Sequence, residues 1–126
     1  MNFEEYNILG SIVEDMFGKA VSDSNGSFKI VSKIVGEGRL RITCMQVVNL
    51  LTRSDMKKET DKAYEQSAKA CNEHLKLIKK EFKKEAGRAL KTKELGSDSS
   101  VELMNMSAYS DKGTALCRCV YNFEIK

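Results

Sequence analysis

At 126 residues, 41% hydrophobic and 31% charged, the chain has the size and composition of one globular domain that buries its own core, which excludes wholesale disorder. A formal net charge of +3 is too small for the molecule as a whole to select a polyanionic partner, so any electrostatic function must come from local clustering. No apolar run reaches the roughly 18 residues of a membrane helix, and no basic stretch followed by an apolar one opens the chain; the expectation is no membrane, with a cytoplasmic location or incorporation into a virion.

Asn2 followed three residues later by Glu5 is a capping-box pattern, and Tyr6, Leu9, Ile12, Val13, Met16, Phe17 and Ala20 then recur at helical spacing, predicting a core helix. Ser22 to Ser27 contains turn formers and no apolar residue, and reads as a loop. Period two takes over at Phe28–Val35 and again at Arg39–Val48, around Gly36-Glu37-Gly38. This is a hairpin with Phe28, Ile30, Ile34, Leu40, Ile42 and Cys44 inward and Lys29, Lys33, Arg39, Arg41 and Thr43 outward.

The stretch from Ser54 to Ala86 predicts one long amphipathic helix, started by Thr52 or Ser54 and stopped by Gly87. Its stripe is Tyr64, Ala68, Cys71, Leu75, Ile78 and Phe82. Beyond it, Ala89–Leu95, Ser100–Tyr109 and Thr114–Ile125 read as three strands, with turns at Gly96–Ser99 and Ser110–Gly113. The expected fold is a single α+β domain over residues 1–126, ordered α-β-β-α-β-β-β, with an antiparallel sheet packed on the long helix.

Chemistry has few candidates. Cys71, His74, Cys117 and Cys119 contain ligand types for zinc, but Cys-x-Cys within a regular strand holds its sulfurs roughly 7 Å apart, too far for one tetrahedral ion. With no secretory signal in view, the four cysteines are expected as reduced, buried thiols. His74, the one histidine, lies beside the apolar stripe of a charged helix and is expected in solvent. Gly36-Glu37-Gly38 lacks the third glycine of a dinucleotide loop, and no phosphate-binding Gly-Lys-Ser/Thr occurs. No catalytic residue, cofactor, metal or small-molecule substrate is expected.

Two surface signals remain. Between Lys76 and Lys93 stand eight basic residues against two acidic ones, and Lys62, Lys69, Lys76 and Lys83 repeat every seven positions as a ridge. Lys76, Lys79, Lys80, Lys83, Lys84 and Arg88, with Arg39 and Arg41 from the hairpin, are therefore candidate phosphate contacts for a nucleic acid. Aromatic residues are not interleaved with them, and a solvated face with Glu-Lys pairs accounts for the same pattern. The second signal is a sheet that is apolar on both faces. Met104, Met106 and Ala108 alternate away from Val101 and Leu103, and Leu116 and Val120 join that second side. Either the first helix or another subunit would have to cover it. Met104, Met106, Leu116 and Val120 are thus candidate protein-interface residues. The favoured expectation is a non-enzymatic assembly or adaptor protein with a protein partner or homo-oligomer; nucleic-acid binding is the alternative. The assembly protein is expected to be a viral or phage structural or accessory component; the absence of proline and sixteen lysines against five arginines fit an AT-rich microbial or viral genome and indicate nothing mechanistic.

Overall fold

The computed structural model describes residues 1–17, 28–50, 56–106 and 113–126. Among these residues two helices and four strands follow one another as α1 (Phe3–Phe17), β1 (Phe28–Ile34), β2 (Arg39–Leu50), α2 (Met56–Ala86), β3 (Thr92–Met106) and β4 (Gly113–Ile125). The expected Ser22–Ser27 loop, the helix-start residues Thr52 and Ser54, and the Ser110–Lys112 turn lie outside the described residues.

Reciprocal capping starts α1. The Asn2 amide donates to Glu5 Oε1 at 3.1 Å, and the Glu5 amide donates to Asn2 Oδ1 at 2.8 Å, so free amides of the first turn find partners. Leu9, Ile12 and Val13 then face the core and pack with Phe28 and Ile30 of β1. The β1–β2 hairpin turns through Gly36 and Gly38 at φ of 64° and 70°, values that side-chain-bearing residues rarely adopt. It closes with the Val35 amide donating to the Arg39 carbonyl at 2.9 Å.

At 31 residues α2 is a rod of about 46 Å. Gly87, at φ 76°, donates its amide to the Lys83 carbonyl at 3.0 Å and so ends it in the left-handed cap. Cys71, Leu75, Ile78 and Phe82 are buried, as the periodicity predicts. The N-terminal half departs from it. Thr60, Ala63 and Ser67 are buried, Tyr64 is half-buried and Ala68 is exposed, so the contact line there follows small residues, two of them polar, that a hydrophobic pattern does not mark. Cys44 Sγ contacts the Ser67 carbonyl at 3.6 Å across this seam.

The sheet has the order β1-β2-β4-β3 and is antiparallel throughout. Among the described residues two strands, not three, follow α2. Gly96–Ser99 is no turn: β3 runs through it as one 15-residue strand, with register shifts at Glu94/Gly96 and Leu103/Asn105. The turn formers are tolerated because β3 is an edge strand, where polar side chains stay hydrated and bulges deter pairing with other chains. Leu40, Ile42, Cys44, Cys119, Phe123 and Ile125 join Leu9, Ile78 and Phe82 in the main core. A smaller cluster of Val48, Leu50, Ala63, Ala115 and Cys117 lies under the start of α2. Both helices therefore occupy one face of the sheet, and α1 does not cover the other.

Candidate functional site

Side chains alternate across a strand, so burial of Leu40, Ile42, Cys44, Cys117 and Cys119 beneath α2 sends their neighbours to the opposite, outer face. The register fixes which of these neighbours touch. Val31 pairs with Thr43 and Thr43 with Val120; Met45 pairs with Arg118, and Val47 with Leu116. Val31, Met45, Val47, Leu116 and Val120 thus form an apolar band, interrupted by Thr43 and Arg118, in which each of the five is half-buried. No described helix lies over it.

Charge is divided across the same face. Lys33, Arg39 and Arg41 stand on the β1–β2 side, while Asp98 and Glu102 stand on β3, next to Val120 and Leu116. Arg118 and Glu124 lie between them on β4, and Lys93 at the end of β3 is opposite Glu124. At one end Gly96 brings no side chain to the row beside Asn122, which opens a hollow of about 510 Å³ lined by Arg39, Arg41, Asp98 and Asn122. Arg41 Nε donates to Asn122 Oδ1 at 3.2 Å, which holds one guanidinium along its floor.

The other predicted basic residues form a separate surface. Lys76, Lys80, Lys83 and Lys84 are exposed and Lys79 is half-buried on α2, the layer on the opposite side of the sheet from Arg39 and Arg41. The two groups do not converge. Arg88 is engaged elsewhere: its Nε donates to Glu5 Oε2, its terminal nitrogen donates to the carbonyls of Ala89 at 3.0 Å and Lys126 at 3.3 Å, and its guanidinium lies 5.3 Å from the Phe82 ring centroid. It serves as a clamp between α1 and the end of α2.

Leu116 and Val120 stand on the outer face as expected. Met104 is 52% exposed and sits at the second register shift, out of step with that face. Met106 pairs through its backbone with Gly113; its side chain lies outside the described residues. Val31, Met45, Val47 and Asp98 were missed in the sequence. The signal for Met45 and Val47 was present, since Arg39, Arg41 and Thr43 already defined the outward phase of β2.

His74 is not in solvent. It is 6% exposed with Nε2 unpartnered, and burial pulls its imidazole below the ordinary value. All four cysteines are free and buried, and burial pushes the Cys44 and Cys71 thiols up to about 12. Among the described residues no group of three or more His, Cys, Asp or Glu side chains is placed to hold a metal ion. Compared with known proteins, the chain matches no family model, no curated protein and no solved structure.

Proposed function

We propose that the protein is a non-enzymatic assembly or adaptor component, of the kind built into viral or phage particles, that works through the outer face of its sheet. The observation that carries this is the apolar band of Val31, Met45, Val47, Leu116 and Val120 with no described helix above it. A sheet with one face on its helices gains nothing by making the second face apolar unless that face meets another surface. The nucleophilic and acid-base side chains serve the core: buried thiols held protonated cannot attack, and a buried imidazole is remote from substrate. A photoreactive benzophenone side chain installed at Met45 tests the reading. Crosslinks from Met45 to protein, absent from the same group at Lys84 on α2, are expected; equal labelling from both positions contradicts it.

A second reading is favoured by one observation, the exposure of Lys76, Lys80, Lys83 and Lys84 along the solvent side of α2. In this reading the ridge tracks a phosphate backbone. Binding would then weaken with salt at a log-log slope of roughly −0.9 per phosphate contacted. An anisotropy titration of duplex and single-stranded DNA at several salt concentrations, repeated with Lys80→Glu/Lys83→Glu, checks it. No binding at low salt, or an unchanged slope in the variant, returns the ridge to a solvated face.

A further inference from the structure

We infer that the occupant of the outer sheet face is a second copy of this chain, packed face to face about a two-fold axis parallel to the strands; this rests on the reading that the outer face is the working surface. The sheet's own charge pattern supplies the reason. Lys33, Arg39 and Arg41 lie on the β1–β2 half with no acidic residue on those two strands, whereas Asp98, Glu102 and Glu124 outnumber Arg118 and Lys93 on the β4–β3 half. A two-fold along the strands sets the first half of each copy over the second half of the other. A two-fold perpendicular to the strands would set basic strands over basic strands and the acidic edge over itself.

The register makes the match specific. Arg39 and Glu124 occupy one cross-strand row, so the axis along the strands brings Arg39 of one copy over the second copy's Glu124, twice per dimer. Val47 and Leu116 occupy another row, and the same operation stacks Val47 on the second copy's Leu116 near the axis. Lys33 approaches the second copy's Asp98 one row away, at the rim. The charged pairs thus lie towards one end of the aliphatic rows, while Arg118, in the row between Val120 and Leu116, lays its stem over the second copy's Met45 with Asp98 and Glu102 of its own β3 on the neighbouring diagonals.

Area is consistent with a stable pair. Strands about 4.8 Å apart and about 3.3 Å per residue give this four-stranded face a footprint of roughly 700 Å² per copy, near the roughly 800 Å² per partner of a standard interface. The alternative way to pair copies, strand to strand at the free edge of β3, is opposed by two register shifts and by Asp98 and Glu102 along that strand.

Sedimentation equilibrium of the full chain at micromolar concentrations tests the inference with Arg39→Glu, Glu124→Arg and an equimolar mixture of the two. Each variant alone sets like charges against each other at both symmetry-related Arg39–Glu124 contacts and should weaken association by about tenfold or more. In the mixed dimer both contacts between copies are again of opposite charge, so the mixture should regain native affinity, which a rearrangement within one copy cannot produce. A native chain that sediments as a monomer throughout, or a native dimer indifferent to both variants, overturns the inference. The benzophenone at Met45 separates the two failures. Capture of a different protein by a monomeric chain removes the second copy and leaves the assembly face standing; capture of nothing removes both.

Discussion

Arg88 Nε donates to Oε2 of Glu5, the same carboxylate whose Oε1 accepts the Asn2 amide at 3.1 Å. One side chain thus completes the cap of α1 and receives the clamp from the segment that follows α2. The Arg88 guanidinium, and after it the Asn2 contact, hold the Glu5 carboxyl below its ordinary value of 4.5. A lowered folded-state value contributes stability that is complete above 4.5 and is lost as pH falls through the folded value. Melting temperatures of the native chain and Glu5→Gln should therefore differ at neutral pH and converge in acid. Parallel curves down to the lowest pH would show that the clamp carries no stability.

His74 sets a second pH window, higher than that of Glu5. Burial favours its neutral form, so the unfolded chain takes up a proton near 6.5 before the native chain does. Stability should decline as pH drops below 6.5 towards the lowered native value, and His74→Leu, which removes the unpartnered Nε2, should flatten that decline. Urea midpoints across this range measure it. A variant with the same slope as the native chain would assign the decline to other groups.

Leu77 and Ile78 are adjacent, alike in hydrophobicity and opposite in consequence: Leu77 is 51% exposed and Ile78 is 0% exposed. Ile78→Ala leaves a cavity between α2 and the sheet and should cost about 3 kcal/mol in chemical unfolding. Leu77→Ala should change stability by less than about 0.5 kcal/mol. Equal losses at the two positions would mean that α2 is rotated about its axis from the orientation described.

The four thiols should be silent in the native state. Cys44 and Cys71 are pushed up to about 12 and all four cysteines are buried, so a thiol-exchange reagent at mildly alkaline pH should react only as fast as the chain opens. Adding urea should accelerate the four together. Rapid labelling of any one thiol in native buffer would place it at the surface.

Much of this fold could be read in the sequence because its strongest periodicities coincide with burial. Cys71, Leu75, Ile78 and Phe82 on α2, and the alternation from Leu40 to Cys44, declare their faces directly. Three kinds of residue hid the remainder. Thr60, Ser67 and His74 are polar yet buried, because helix position and not side-chain polarity decides what α2 covers. Gly96–Ser99 has turn chemistry yet lies in β3, because β4 supplies a long edge to pair with and the open side is hydrated. Arg39 and Arg41 looked like partners of the α2 lysines until the layer order put them on opposite sides of the sheet. The outer band was half legible: Leu116 and Val120 were in view, while Val31, Met45 and Val47 complete it only when the β2–β4 pairing aligns them.

Photochemical carbene footprinting of the native chain, dilute and at the concentration or in the complex where it assembles, tests most directly whether the outer face is the working surface. Labelling of Val31, Met45, Val47, Leu116 and Val120 should fall together on assembly, while Leu77, 51% exposed on α2, keeps its labelling as an internal control. Protection confined to α2, or an outer band labelled equally before and after assembly, would contradict the account.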